Sequence, residues 1–202
     1  MGRVIQLGIS NAVNTTRRIF KLCAGSISIS PFSICNWGIK LQLVNKGTIH
    51  IEKKSRIIGH GVLRASTGKI NIGEHCEIRD CNIQANKGNV TIGNGTFINS
   101  NCFIVSCENI QIGNNCAFGP HVSIFDQDHV IVRDGIPPWN ETKTSPIVIG
   151  NNCWIGANVL ILRGTIIGDN CVVAGGTVVK GTIPPHSIVK NNRDIIISEI
   201  KE

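Results

Sequence analysis

The sequence predicts an all-β protein, a triangular parallel β-helix, and three observations support this fold class. Ile outnumbers Leu by 35 to 7 in a chain of 202 residues, a balance that favours strands over packed helices. Aliphatic residues recur every six positions near the C-terminus, and an aliphatic-x-Ile-Gly motif recurs at a longer spacing. Only 16% of the residues are charged and 22 are Gly, which argues against a coiled coil and against intrinsic disorder.

The two repeats define the coil. The six-residue repeat is unbroken at Ile149, Ile155, Ile161, Ile167, Val173 and Val179. The four-residue motif begins at Ile70, Val90, Ile110 and Ile147, and the first three starts are 20 residues apart. Three short strands in each turn of about 18–20 residues are typical of a triangular β-helix, in which each coil stacks its Ile on the coil below.

The nine Cys residues are interpreted as packing groups. Five of them occupy one position of the six-residue repeat: Cys76, Cys102, Cys116, Cys153 and Cys171. A small apolar side chain suits the inside of a coil. An odd number of Cys in a chain of this size favours reduced thiols and a cytoplasmic location, and no metal site is expected because no Cys-x-x-Cys pair occurs.

The repeats also set the expected boundaries. Residues 1–40 show no clear six-residue repeat and are expected to form an N-terminal cap of undefined form. Residues 41–189 form the β-helix domain, and residues 190–202 form a C-terminal tail. No secretion signal opens the chain and no uncharged run resembles a membrane span, so at most peripheral membrane contact is expected.

The charge is distributed unevenly. Residues 1–64 contain ten Lys or Arg and one acid, whereas residues 65–202 contain ten Lys or Arg and twelve acids. A basic first third is suited to an anionic partner such as a membrane surface, an acidic glycan or nucleic acid, although solvated outer faces of strands would give the same composition. Aromatic residues make up only 4% of the chain, which argues against nucleic acid.

One interruption of the repeat indicates where catalytic groups are expected. From Ile124 to Ile149 the chain uses 25 residues where one repeat needs six, so about 19 residues, roughly 126–144, must leave the coil as a loop. This loop contains His129, several acids and Trp139. A polar loop projecting from a rigid scaffold is a common place for catalytic groups.

Two motifs resemble a known family. The loop motif Asp-Gln-Asp-His at 126–129 and the block Ile-Gly-Asn-Asn-Cys-Trp-Ile-Gly-Ala at 149–157 look like those of the hexapeptide-repeat acetyltransferases, especially the sugar O-acetyltransferases. The resemblance covers about residues 70–189. It implies a left-handed β-helix, acetyl-CoA as cosubstrate, a homotrimer, and active sites between neighbouring subunits. The left hand rests on the resemblance alone, because the usual crossover rule favours the right hand.

The resemblance assigns roles around the loop. His129 corresponds to the catalytic base, and a base with a pKa near 7 is what attack by a sugar hydroxyl requires. Its second ring nitrogen needs a partner, for which Asp126, Glu141 and a backbone carbonyl are all candidates. The backbone N–H of Ala157 fills the position of the oxyanion donor.

The remaining site residues follow from the same resemblance. Three side chains are expected to contact the acceptor: Asn101, His121 and Trp139. Eight residues are expected near the coenzyme: Trp154, Gly156, Ala157, Gly175, Gly176, Lys180, Lys190 and Arg193. The sequence departs from the family pattern near this end, since the Lys of Val-Thr-Lys-Asp is shifted by one position in Val-Lys-Gly-Thr at 179–182.

The sequence therefore predicts an acetyl-CoA-dependent O-acetyltransferase, which modifies a sugar hydroxyl of a surface polysaccharide, such as capsule or O-antigen, or of its precursor. The basic first third suggests an acidic acceptor. An N-acetyltransferase acting on an amino sugar or a sugar nucleotide is the alternative, because an amine needs the same base. A zinc enzyme built on this fold would need a third suitably placed His besides His121 and His129, and a purely structural β-helix would not need the loop.

Overall fold

The computed structural model describes residues 5–7, 18–22, 25–132, 138 and 140–192, with side chains from residue 25 onward. Every regular element in these ranges is a β-strand. The strands form three sheets, named faces A, B and C, and a separate two-stranded hairpin. Successive strands run from face B to face C to face A, so the coils have three edges, B–C, C–A and A–B. The predicted all-β parallel β-helix is confirmed.

The strands of each face follow one another in register. Face A contains Ile5–Leu7, Ile39–Val44, Gly61–Ser66, Asn82–Ala85, Phe103–Ser106, Ser123–Phe125, Leu160–Leu162 and Val178–Val179. Face B contains Arg18–Leu22, Gly25–Ile29, Gly47–Ile51, Lys69–Ile72, Asn89–Ile92, Asn109–Ile112, Ile147–Ile149, Ile166–Ile167 and Thr182–Ile183. Face C contains Ile34–Cys35, Arg56–Ile58, Glu77–Arg79, Phe97–Ile98, Ala117–Phe118, Trp154–Ile155, Val172–Val173 and Ile188–Val189. The hairpin pairs Gln127–His129 with Thr142–Thr144.

The interior consists of stacked columns of aliphatic side chains. On face A, Ile83, Ile104, Ile124 and Ile161 lie side by side in successive coils, and each is at most 1% exposed. Faces B and C carry matching columns, and Phe118 on face C is the largest of the fully buried side chains. Each such side chain contributes about 1.5–3 kcal/mol when it leaves water, so the columns are the main source of stability. These columns contain the residues of the six-residue repeat. The prediction that the repeat positions stack inside the coils is therefore confirmed.

The five repeat-position Cys residues are buried, as expected for packing groups. Their thiols also donate hydrogen bonds to backbone carbonyls of the next coil: Cys116 Sγ lies 3.1 Å from the Gly150 oxygen and Cys153 Sγ lies 3.2 Å from the Gly168 oxygen. Burial raises the pKa of the Cys76 thiol, and it raises that of Cys35, another interior thiol, to about 12. The Cys76 and Cys35 side chains are therefore neutral structural groups.

A ladder of polar side chains runs along the B–C edge. The side-chain oxygen of Asn94 accepts from the backbone N–H of Glu74, and that of Asn114 accepts from the N–H of Asn94, both at 2.8 Å. Asn151 repeats the contact to Asn114 at 2.8 Å, and Asp169 repeats it to Asn151 at 2.6 Å. Each of these side chains thus provides a hydrogen-bond acceptor for a turn N–H of the coil before it.

Regular stacking begins earlier than the boundary at residue 41 that the sequence predicts. Gly25–Ile29 pairs in parallel with Gly47–Ile51 on face B. Ile29, Cys35 and Leu41 are six residues apart and all buried, a repeat that is easy to miss because bulky exposed residues separate its members. The strands Ile5–Leu7 and Arg18–Leu22 pair antiparallel with Ile39–Val44 on face A and Gly25–Ile29 on face B. Residues 193–202 of the predicted tail lie outside the described part of the chain.

The chain leaves the coil after Ser123–Phe125 and rejoins it at Ile147–Ile149, which pairs with Asn109–Ile112 on face B. Between these two strands, the described hairpin of Gln127–His129 and Thr142–Thr144 projects from the A–B edge. Among the described residues, no helix is long and apolar enough to cross a membrane.

Candidate active site

The root of the projecting loop is fixed by a buried carboxylate. Asp126 is fully buried, and its Oδ2 accepts from the Ser106 hydroxyl at 2.7 Å and from the Glu108 N–H at 2.9 Å. Its Oδ1 accepts from the Cys107 N–H at 2.7 Å, and its backbone oxygen accepts from the Ser145 N–H at 2.9 Å. Asp126 therefore binds the start of the loop to the coil below and to the returning chain.

The hairpin beyond this root is held between two coils. Asp128 Oδ2 accepts from Arg163 Nε at 2.5 Å, which ties the hairpin to the coil above. The Gln127 side chain contacts the Cys107 thiol of the coil below. These contacts place His129 at the A–B edge with its imidazole exposed.

Neither predicted orienting carboxylate is bonded to His129 among the residues described. Both carboxylate oxygens of Asp126 are already occupied. In the hairpin, His129 lies opposite Thr142 and Asp128 opposite Lys143. Since successive side chains of a strand point to opposite faces, Glu141 falls on the face of Asp128 rather than on that of His129. The assignment of an orienting carboxylate stays a prediction.

A second group of predicted site residues lies at a different edge. Asn101 and His121 occupy equivalent turns of successive coils at the C–A edge, with φ of 61° and 60°. The His121 N–H donates to the Ser100 oxygen at 3.0 Å, and Asn158 N donates to the Pro120 oxygen at 3.0 Å in the next coil. Both predicted acceptor-binding side chains are exposed. The third, Trp139, lies outside the described residues.

A groove with a volume of about 270 Å³ lies along face C where it meets this edge. Its lining is almost wholly apolar and consists of Trp154, Gly156, Val172, Val173, Ala174 and Gly175. Trp154 is 60% exposed and forms one wall. A Cβ at Gly156 would lie 2.6 Å from the Gly175 nitrogen, so the close packing here requires glycine. An apolar groove with a glycine floor suits a narrow flexible chain such as a pantetheine arm.

Three of the groove residues are not predicted from the sequence, namely Val172, Val173 and Ala174. The signal that identifies them is register, because Val172 pairs with Trp154 on face C. Ala157 follows the groove glycine Gly156, and within residues 25–132 and 140–192 its backbone N–H has no hydrogen-bond acceptor. A small residue with a free N–H beside an apolar groove has the properties of an oxyanion donor.

The cations predicted near the coenzyme do not lie together in the described structure. Lys190 follows the last strand of face C, and its neighbour Asn191 donates from Nδ2 to the Gly176 oxygen at 2.9 Å, so Lys190 lies near the groove. Lys180 follows Val178–Val179 on face A and lies at the A–B edge, away from Gly175 and Gly176. Arg193 is outside the described residues.

The candidate residues of one chain thus form two separate groups. His129 is at the A–B edge, whereas the groove, Ala157, Asn101 and His121 are at the C–A edge. Asn158 and Arg163 flank the face-A strand Leu160–Leu162 at these two edges. Five residues at about 3.3 Å each separate the edges by at most about 17 Å. Proton transfer requires contact at about 3 Å. Within the described residues, no group of three or more His, Cys, Asp or Glu side chains is placed to hold a metal ion.

Comparison with known proteins identifies a family model and relatives that this chain resembles. The family model "Bacterial transferase hexapeptide (six repeats)" matches residues 146–181. The galactoside O-acetyltransferase of Escherichia coli K12 is 34% identical over 114 residues, 56% of this chain and 56% of its own length. A second protein of that organism, provisionally named a lipopolysaccharide biosynthesis O-acetyl transferase, is 31% identical over 147 residues, 68% of this chain and 75% of its own.

A solved structure is similar as well. The hexapeptide-repeat containing acetyltransferase of Vibrio cholerae O1 biovar eltor, complexed with acetyl-coenzyme A, superposes with a TM-score of 0.54 at 31% identity, covering 64% of this chain and 70% of that one. The present chain spans little more than half the length of the galactoside enzyme but three quarters of the second relative. With this coverage at more than 30% identity, the chain belongs to the hexapeptide-repeat acetyltransferase family.

Proposed function

We propose that this protein transfers an acetyl group from acetyl-CoA to a sugar hydroxyl of a surface polysaccharide, such as capsule or O-antigen, or of its precursor. Family membership supports acetyl transfer, and the names of the relatives support a sugar acceptor. The observation that carries the proposal is that His129 and the groove beside Trp154 lie at the two opposite edges of face A. When copies of the chain associate through this face, the base of one copy and the groove of the next can form one active site.

The surface between the two edges favours such association. The outward side chains of face A become apolar in the later coils: Phe103, Val105, Phe125, Leu160, Leu162 and Val178. Phe103 and Val178 are 42% and 49% exposed in the single chain. Contiguous exposed apolar surface of this kind is typical of protein interfaces. We propose a homotrimer in which the A–B edge of one protomer faces the C–A edge of the next.

In this arrangement the groove beside Trp154 holds the pantetheine arm, and Lys190 is placed for a phosphate. The bound acetyl thioester supplies an electrophilic carbonyl. The His129 imidazole takes the proton of the acceptor hydroxyl as its oxygen attacks that carbonyl. The Ala157 N–H donates to the carbonyl oxygen as negative charge develops on it. The C–S bond then breaks, and the His129 imidazolium returns its proton to the sulfur, which leaves as the coenzyme thiol. Asn101 and His121 orient the acceptor, and Trp139 is proposed to stack on a sugar ring.

The base is tested by His129→Ala, with His75→Ala on the B–C edge as a control that removes an exposed imidazole elsewhere. Coenzyme release with a polysaccharide acceptor is expected to fall by about 10²–10⁴-fold in the first variant and to stay unchanged in the second, with the assembly intact by light scattering. Nearly full activity of His129→Ala would refute the assignment. Faster acetylation of an amino sugar than of its hydroxyl analogue would replace the O-transferase by an N-transferase.

The shared site is tested by complementation. Gly175→Val fills the groove at the C–A edge, whereas His129→Ala inactivates the A–B edge. Each variant alone is expected to be inactive. Refolding an equal mixture is expected to restore a fraction of the activity, because some interfaces then combine two intact edges. Absence of any recovery in mixed assemblies would contradict a site shared between protomers.

A further inference from the structure

The cations of the first coils are not spread evenly around the β-helix. Lys53, on the B–C edge, lies 3.3 Å from Glu74, and Arg56, on face C, lies 2.8 Å from Glu77. Arg79 also contacts Glu77. Among the acids of these coils, Glu74 and Glu77 therefore neutralise neighbouring cations on the B–C edge and face C, and Asp80 lies at the C–A edge.

The A–B edge keeps its positive charge. Lys46 and Lys87 lie in its turns, Lys69 begins the adjoining face-B strand, and all three are exposed. Among the described residues, none of them has an acid within ion-pair distance. On the adjoining part of face A, Arg64 has a buried Nε with no hydrogen-bond partner in the described structure. The edge thus presents a row of unpaired donors, one of which is already desolvated and without an acceptor.

This row leads to the proposed catalytic loop. Lys46 follows Ile39–Val44, and the loop begins directly after Ser123–Phe125, four coils further along face A. Coils are separated by about 4.8 Å, so Lys46 lies about 19 Å and Lys87 about 10 Å before the root of the loop. Glu108 is the one described acid on this stretch of the edge, and it lies in the coil next to the loop.

We propose that Lys46, Lys69, Lys87 and Arg64 form a basic track that binds the part of an anionic glycan acceptor lying beyond the sugar that is acetylated. This inference rests on the proposed function, since the track is useful only if the loop acts on a polymer. The carboxylates of acidic sugars are spaced along a linear chain, which matches a narrow row of cations on successive coils. The track would raise the local concentration of acceptor at His129.

Other polyanions fit less well. A membrane surface is flat and would be met by cations spread over a face, whereas these follow an edge. Single-stranded nucleic acid is bound through aromatic stacking as well as charge. The described residues of the track and the turns between them, 45–47, 67–69 and 86–88, contain no aromatic side chain.

The test measures binding without acetyl-CoA. Fluorescently labelled oligomers of polysialic acid and of polygalacturonic acid, from two to twelve sugars, are titrated with the full chain at 50 and 200 mM salt, beside neutral dextran oligomers. The double variant Lys46→Glu, Lys87→Glu is compared with Lys53→Glu, Lys54→Glu, which makes the same charge change on the B–C edge. Since one exposed ion pair changes affinity about 1.5- to 5-fold, reversal of two charges is expected to weaken binding of the long anionic oligomers about 10-fold.

The expected pattern has three parts. Affinity of the unmodified chain rises with oligomer length and falls with salt, the track variant loses most of the length dependence, and the control variant retains it. Equal loss in both variants, binding of dextran as tight as that of the anionic glycans, or tighter binding of single-stranded RNA or of phosphatidylserine vesicles would overturn the proposal. Length-dependent binding without acetyl transfer would leave the track in place and refute the proposed function, so the two failures are distinguishable.

Discussion

Asp126 fixes the root of the projecting loop, and Asp126→Asn tests this role with little change of volume. Whichever way the amide turns, its NH₂ group replaces one carboxylate oxygen, so either the Cys107 N–H or the Glu108 N–H loses its acceptor. An unsatisfied buried donor costs about 1–3 kcal/mol. At about 2–4 °C per kcal/mol for a chain of this size, Tm is expected to fall by about 2–12 °C.

Stability and pH dependence together separate the two interpretations of this residue. If Asp126 holds the loop root, the substitution lowers Tm and the rate of acetyl transfer but leaves the midpoint of the rising limb of the pH–rate profile in place. If Asp126 were the partner of His129, loss of its negative charge would move that limb to lower pH, because a carboxylate favours the protonated imidazole. Thermal unfolding followed by circular dichroism, and initial rates between pH 5 and 9, provide both measurements.

The reasoning is refuted if Asp126→Asn has the parental Tm and a shifted pH–rate profile. Glu141→Gln is the matched control, since Glu141 is exposed and makes only backbone hydrogen bonds among the residues described. It is expected to leave Tm unchanged. A shifted profile in this variant would identify Glu141 as the orienting carboxylate.

Three further predictions concern the core, an edge and the groove. Phe118→Ala empties part of the core and is expected to cost about 3–5 kcal/mol in denaturant titrations, and a loss below 1 kcal/mol would contradict its burial. The His60 N–H and the Ser100 hydroxyl lower the pKa of Asp80 from 3.8, so its contribution to stability is present above that value and is lost as pH falls through the lowered pKa. Asp80→Asn should therefore lower Tm at pH 7 and not at pH 2, and an equal loss at both would refute this. Gly119→Ala places a methyl group 2.7 Å from the Ala157 nitrogen and is expected to reduce acetyl transfer about 10²–10³-fold, whereas full activity would remove Ala157 as oxyanion donor.

The repeat made the interior predictable because buried side chains obey a strict period. Ile124, Ile149 and their equivalents could be placed on inward columns from spacing alone, and the long gap between these two located the loop. The start of the coils at Gly25 was harder to predict, since Cys35 occupies a repeat position where an aliphatic residue is the usual signal.

The division of the site was only partly accessible from the sequence. Each step of six residues advances one face, so counting from Val173 to Val179 shows that Gly175 and Lys180 follow different faces and cannot be neighbours. The family resemblance groups them near the coenzyme because it follows a motif pattern instead of this count. The contact between Arg163 and Asp128 had no signal in the sequence, because the pairing of a hairpin with the coil above it depends on how the loop folds back in three dimensions.

The way Asp126 secures the loop root has an evolutionary consequence. Each coil touches only the coil before and the coil after it, so changes in the projecting segment are not transmitted through a shared core. A new inserted segment needs only a side chain that accepts hydrogen bonds from the neighbouring turn N–H groups, and an end that rejoins the next coil. A β-helix of this kind can therefore exchange one insertion while the coils before and after it keep their packing.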